Sequence, residues 1–396
     1  MYKIKGAIQH YAWGGSSFIP AFLSIENPEQ TPHAEYWLGM HPGGPARVEL
    51  SGNARTGLAD MVRSEPRRYL GETVNNQFGE LPFLLKILDV KGMLSIQVHP
   101  NQEDARKGFE RENAEGIPLD APHRNYKDAN HKPEVMLALS DFYLLHGFRK
   151  DLAAFLDGHA QLGILSPILE SSGLRGLYQY VMSLPQTGVD EMLQPLAQKI
   201  VPLYEAGKLV KTSPDFWAAR VLQGLAPDYH HIDRGVFSIY FFNVLHLKPG
   251  QAIFQGAGVP HAYLEGQNIE LMSNSDNVLR AGLTNKHMDI PELMRHTLFE
   301  GIEPQVMDGE QDGLFKHYPC PVADFRLDEA RISHGEVLDH EASGPEIWIQ
   351  YTGHAQWQGW RNIETVKGDS IFVPAGEQLE ILCGSDARFF RASVPA

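Results

Sequence analysis

The sequence predicts a mainly β chain, two β-barrels of one type with a helical block inserted into the first. Three observations predict it. Residues 1–150 carry short apolar runs punctuated by Gly, Pro and Asn, residues 151–235 turn to helical periodicity, and a nine-residue segment occurs twice. With 396 residues the chain has room for two or three domains. They read as a first β unit over 1–150 and 236–300, a helical insertion over 151–235 and a last β unit over 301–396.

Within 1–150, strands are predicted at 48–50, 81–88, 93–98 and 135–139, with loops or edges carrying aromatics at 11–15 and 34–42. Helices are expected at 58–70 and 101–113, the latter opening Asn101-Gln102-Glu103-Asp104, which is good N-terminal capping chemistry. Further on, Leu193, Leu196, Ile200 and Leu203 recur at three- and four-residue intervals, as one helix face requires. Another helix opens at Ser213-Pro214-Asp215, with Ser as N-cap and Pro where its missing N–H costs nothing. Strands resume at 237–247, a turn follows at Lys248-Pro249-Gly250, and a strand at 251–255. The segment from Gly250 to Gly258 matches that from Gly368 to Gly376 at Gly, Ile, Phe, Ala and Gly. Two copies of one strand-turn-strand unit suggest two barrels. His261 falls opposite Leu379, so a site using His261 has no counterpart in the last unit.

Composition narrows function. Apolar residues make up 43% and charged residues 21%, ordinary for a soluble globular protein, and no window has the roughly 18 apolar residues of a membrane span. The first fifteen residues lack an apolar signal core, which points to the cytoplasm. Cys320 and Cys383 are the only cysteines, so any metal must use nitrogen and oxygen ligands. A formal charge of −15 argues against nucleic-acid or anionic-membrane partners.

Three stretches carry chemistry. In Tyr126-Lys127-Asp128-Ala129-Asn130-His131-Lys132-Pro133-Glu134, proline imposes extended geometry, so Lys132 and Glu134 share a face while His131 points oppositely or sits at the bend. A lysine and a carboxylate side by side at the head of a buried strand are either an ion pair or part of a site. In Ser95-Ile96-Gln97-Val98-His99-Pro100, the polar groups alternate with aliphatic ones, so Ser95, Gln97 and His99 face one side of a strand. That side is solvent or a barrel interior, and a metal held by Gln97, His99, Glu134 and His261 would satisfy inward groups. Zinc is the natural guess, while Mn, Fe or Co fit the same donors. The third stretch, from His261 to Lys286, holds Glu270, Asp276, Arg280 and Lys286, with the last two supplying the positive charge that phosphate recognition uses.

The first and third stretches resemble the two diagnostic motifs of type I phosphomannose isomerases. The first matches throughout, and the second has Ser273 where the family usually has Ala and Asn285 where it usually has Pro. Tyr11-Ala12-Trp13-Gly14, Ala34-Glu35-Tyr36-Trp37 and residues 81–100 are also similar to the family. The resemblance implies a cupin/jelly-roll fold, with a catalytic cupin domain over 1–150 and 236–300 and a C-terminal jelly-roll domain over 301–396. It implies zinc, one per chain, on Gln97, His99, Glu134 and His261, and a phosphorylated hexose substrate bound by a monomer. It further implies a catalytic Arg280, phosphate contacts at Ser95 and Lys286, and His131, Lys132, Glu270 and Asp276 around the sugar. Such an enzyme interconverts mannose 6-phosphate and fructose 6-phosphate through an enediol, with Lys132 or Glu270 moving the proton and His131 and Asp276 assisting ring opening. Two other readings stay open from the residues alone, a cupin oxygenase and a non-catalytic sugar-phosphate binding protein.

Overall fold

The computed structural model describes residues 1–50, 55–225 and 229–395. Strands dominate, in sheets of twelve, nine and four. The largest runs through Val306–Met307, Ala252–Gln255, Glu134–Ala138, His261–Ser273, Phe83–Val90, Glu35–Gly39 and Ala7–Gln9. Gln97–Val98, Phe142–Arg149, Phe242–Leu247, Leu279–Arg280 and Gly301–Ile302 join it from the side.

The strand His261–Ser273 is its spine. From Gly266 onward it pairs with Phe83–Val90 on one flank and Glu134–Ala138 on the other, setting Glu270 opposite both Lys86 and Met136. Ahead of Gly266 it exchanges these partners for Phe142–Arg149 and Gln97, with an irregular register between Tyr263 and Glu265. Gly266 makes the bend, at φ +130°. A Cβ there would sit 2.6 Å from the Phe142 ring and 2.7 Å from the Asp141 carbonyl oxygen, so only glycine fits.

Alternation then sorts side chains. Leu85, Ile87, Val135, Leu137, Ile269 and Leu271 pack with Ile347, Ile349, Phe372 and Phe390 of the nine-stranded sheet. Each such burial contributes about 1.5–3 kcal/mol, which commits Lys86, Glu134 and Glu270 to the other, interior face. On the flank, Ile96, Val98, Ala262 and Leu264 are covered by the helices Ser166–Ser183, Gln186–Glu205 and Pro214–Leu222. Of the predicted seam, Leu193, Leu196 and Ile200 are buried and Leu203 is half-buried. Both predicted caps form, Asn101 accepting from the Asp104 N–H at 2.9 Å and Ser213 from the Asp215 N–H at 3.2 Å. Among the described residues no helix is long and apolar enough to cross a membrane.

Three expectations need correction. The strand predicted at 237–247 is a helix, Gly235–Phe241, followed by the strand Phe242–Leu247. Its aromatic and β-branched run suggests a strand, but all seven helical residues are buried, and packing overrides propensity. Residues 35–39 are no loop: Glu35–Gly39 is a fully buried strand, one in from the edge. Nor does the chain divide where composition changes. Tyr2–Lys5, Arg47–Glu49 and Arg55–Gly57 extend the nine-stranded sheet of the last unit, with Tyr2 opposite Phe372, while Gly301–Ile302 and Val306–Met307 belong to the twelve-stranded sheet. Long-range pairing covers an otherwise bare edge, and local composition carries no trace of it.

The repeated segments share backbone form. Gly250 and Gly258 have φ +89° and +79° around the strand Ala252–Gln255, and Gly368 and Gly376 have φ +90° and +75° around Ser370–Val373. Leu379, opposite His261 in the alignment, is buried in the last unit's apolar core.

Replacing Gly266 with Ala is expected to cost about 1–3 kcal/mol of stability from backbone strain alone, with the clash adding to it. Urea unfolding monitored by fluorescence measures the loss, and an unchanged midpoint would contradict the assigned role of the bend.

Candidate metal centre

His261 sits between two neighbours in the sheet, Gln97 and His146. Registers and alternation bring Gln97, Glu134 and His261 to one cleft, together with Lys86, Lys132, Tyr263 and Glu270. His99, Glu134 and His261 are each buried, and one ligand atom from each lies within 4.8 Å of the other two. That is near the spread required of ligands held roughly 2.0–2.2 Å from one ion.

The histidines are aimed. Nδ1 of His99 is 2.7 Å from the Asn277 carbonyl oxygen and Nδ1 of His261 is 2.9 Å from that of Val259. A carbonyl only accepts, so both Nδ1 atoms carry the proton and both Nε2 atoms present lone pairs to Glu134, at 3.5 and 3.3 Å. Burial, with the Lys132 charge, pushes His99 down to about 4, so its ring is neutral at pH 7. Its Nε2 is buried with no hydrogen-bond partner in the protein. Burial would raise the Glu134 carboxyl, but the Lys132 charge beside it holds it well below the usual carboxylate range. Two neutral imidazoles and a carboxylate, with the Gln97 amide beside them, suit a borderline divalent cation.

Lys132 and Glu134 share a face as predicted, with Nζ 2.9 Å from Oε1. The ion-pair reading and the site reading are therefore both correct. Deeper in the cleft lies a second pair that the sequence reading passed over. Lys86 Nζ is 2.9 Å from Glu270 Oε2 and 3.6 Å from Glu35 Oε2, and lies over the Trp37 ring. Burial would lower the lysine, but the Glu270, Glu35 and Glu134 charges hold it above its usual range. Glu270 is raised, by burial first and then by Glu134 and Glu35 against the opposing Lys86. The Tyr263 hydroxyl donates to Glu270 Oε1 at 2.8 Å.

The remaining predicted residues lie around this centre. His131 does not join it: the ring turns away, as alternation requires, and its Nε2 is 3.0 Å from Asp324 of the last unit. Asp276 lies at the mouth, its carboxylate 3.3 Å from His41 Nε2. Burial would raise its pKa, but His41, Lys132 and Lys86 lower it. Ser95 is half-buried two residues ahead of Gln97. Arg280 pairs with Gln97 across the sheet, while Lys286 is exposed on the following loop. Burial and the Arg280 charge lower the Lys286 pKa, and among the described residues no carboxylate pairs with either cation.

Asn277, which the sequence reading also passed over, ties the motifs together. Its Nδ2 donates to the Asp128 and Asn130 carbonyls at 2.9 and 2.8 Å, and its Oδ1 accepts from the Lys127 N–H at 2.7 Å. Its own carbonyl holds His99. Lys86 had a legible signal, a lysine flanked by apolar residues within an eight-residue strand that is buried throughout; Asn277 had none, because its partners are distant in sequence.

Asn277→Ala is expected to weaken divalent-metal binding roughly tenfold or more, as loss of ligand support does, measured by competition with a chelator. Behind Tyr126, Glu292 is also sensitive to substitution. Burial would raise its carboxyl, but hydrogen bonds from His296, Tyr126 and Arg111 hold it at about 2, against an ordinary 4.5. A lowered folded-state pKa stabilises the fold above 4.5, and that contribution disappears as pH falls toward 2. The stability difference between the unsubstituted protein and Glu292→Gln should therefore be full at about pH 6–7 and shrink below about 4.5, read by urea unfolding across pH.

Residues 1–151 match the model of the phosphomannose isomerase type I catalytic domain. Mannose-6-phosphate isomerase of Escherichia coli (strain K12) is 35% identical over 95% of this chain and 95% of its own length. The Salmonella typhimurium enzyme of that name is 38% identical over 95% of each, and the Homo sapiens one is 32% identical over 99% of this chain and 98% of its own. A crystal structure of mannose 6-phosphate isomerase from Salmonella typhimurium, bound to substrate and a zinc atom, superposes with a TM-score of 0.86 at 33% identity, covering 100% of both chains. With histidine and carboxylate donors gathered in a cupin-type sheet, the chain belongs to the type I phosphomannose isomerase family.

Proposed function

We propose that the protein is a zinc-dependent aldose-ketose isomerase interconverting mannose 6-phosphate and fructose 6-phosphate. The observation that carries this is the buried, unpartnered His99 Nε2 facing Glu134 and His261, beside a cleft with Glu270 in its wall. Gln97, His99, Glu134 and His261 would hold the zinc. Bound there, zinc supplies a fixed positive charge that polarises substrate oxygens.

The chain's own groups supply the rest. Arg280 and Lys286, with Ser95, hold the phosphate as fixed cations with a hydroxyl donor. Asp276, ionised at neutral pH and supported by His41, takes the anomeric hydroxyl proton as the C1–O5 bond breaks and returns it to the ring oxygen. Isomerisation then moves one proton between C2 and C1. Of the two groups able to move it, Glu270 is the better base, because burial and neighbouring carboxylates raise its proton affinity. Lys132 donates to Glu134 and so acts as an ammonium, a hydrogen-bond donor to a substrate oxygen. His131, held by Asp324, takes no direct part in this scheme. The chain works as a cytoplasmic monomer, and the net charge of −15 disfavours nucleic-acid partners. The catalytic domain includes the strands at 301–307, and the jelly-roll domain after it includes the first five residues.

Glu270→Gln should lower kcat by roughly 10²- to 10⁴-fold, the usual worth of a general base, with metal content unchanged. Lys132→Met should lower activity with the metal still bound. Incorporation of solvent deuterium at C2 of mannose 6-phosphate reports the proton transfer directly. Undiminished exchange in Glu270→Gln would pass the base role to another group, and normal turnover by Lys132→Met would remove the lysine from the mechanism. Absence of any conversion of mannose 6-phosphate by the zinc-loaded protein would defeat the functional reading itself.

A further inference from the structure

The helical block covers the back of the sheet, yet one of its acidic residues reaches the loop between the two site cations. Asp233 Oδ1 accepts from the Gly235 N–H at 2.7 Å and the Leu283 N–H at 2.8 Å, and Oδ2 accepts from the Thr284 N–H at 3.0 Å. Among the described residues no Lys or Arg pairs with it. Its carboxylate is therefore committed to three backbone N–H groups, two of them in the segment 281–284 that follows Arg280 and leads to Lys286.

That segment is held in a backbone form it would not adopt alone. Leu283 has φ +54°, unfavourable for a side chain branched at Cγ, and Gly282 has φ +120°. Gly282 lies against Gly235, and a Cβ on it would be 2.4 Å from the Gly235 Cα. Two further bonds clamp the other side, with Ala281 N–H to the Ile96 carbonyl at 2.9 Å and Ile96 N–H to the Gly282 carbonyl at 3.0 Å. Ile96 stands between Ser95 and Gln97. One clamp thus fixes Ser95, Arg280 and Lys286 relative to one another, and Asp233 closes it from the helical side.

We infer that Asp233 is a positioning residue for the phosphate of the substrate: by holding the Leu283 and Thr284 N–H groups it sets the spacing of the Arg280 and Lys286 cations. It makes the helical insertion a determinant of preference for phosphorylated over free sugars. The inference rests on the reading that these cations bind the phosphate.

Asp233→Ala, Asp233→Asn and Lys286→Ala, each loaded with zinc, would be compared by steady-state kinetics on mannose 6-phosphate, by inhibition with inorganic phosphate and by metal content. For Asp233→Ala, KM should rise roughly tenfold or more, as misplaced binding groups cause, with phosphate inhibition weakened in parallel and kcat and zinc content little changed. Asp233→Asn, keeping one acceptor oxygen, should fall between it and the unsubstituted enzyme, and decides the matter if the alanine variant does not fold. Lys286→Ala separates the two levels of argument. If it raises KM while the Asp233 variants leave KM and phosphate inhibition unchanged, the positioning role is overturned alone. If Lys286→Ala itself changes neither quantity, the phosphate reading fails and the inference with it. A loss of kcat and zinc in step with the rise in KM would mark Asp233 as merely structural.

Discussion

Everything at this site follows from burying charge inside a sheet whose outer face is already committed to apolar packing. Glu35, Glu134 and Glu270 face Lys86 and Lys132 within one interior, three negative charges against two positive. Isolated, any of them would cost several kcal/mol to bury. Paired, they still leave a net negative charge in a low-dielectric pocket, and a neutral histidine on either side of Glu134. A divalent cation offsets that charge and satisfies the imidazole lone pairs at once. Metal binding is thus the completion of the interior's electrostatics rather than an addition to it.

The region around Arg280 and Lys286 obeys the opposite rule. Arg280 and Lys286 lack carboxylate partners among the described residues, and burial lowers the proton affinity of each. Cations left unpaired and near one another are unfavourable until an anion arrives. The two regions share the short strand Gln97–Val98, whose neighbours are His261 on one side and Leu279–Arg280 on the other. The metal ligand His261 and the cation Arg280 are therefore registered on the same few residues of backbone.

Much of this was legible before the fold was known. Gln97 and His99 do reach the interior, though the strand is only Gln97–Val98, and the helices over Ile96 and Val98 explain why. Pro133 did place Lys132 beside Glu134 and turned His131 elsewhere. The illegible parts were those decided at a distance. Glu35 hides in a strand whose apolar neighbours dominate any window, Asn277 and Asp233 act through backbone groups up to 150 residues away, and the helix Gly235–Phe241 looks like a strand to every local measure. Resemblance to a known family supplied residue roles that spacing alone left open, though it did not supply the position of His131.

The pairing of Tyr2–Lys5 with Ser370–Val373 has a consequence for how the chain is made. Tyr2–Lys5 must wait for a partner synthesised long after it, so this pairing cannot form until Ser370–Val373 has left the ribosome. Such distant pairing is slow and leaves strand edges open in the interval. Since the outer face of the sheet that carries the metal ligands packs on that same sheet, the backing of the cleft is complete only once those late strands have formed.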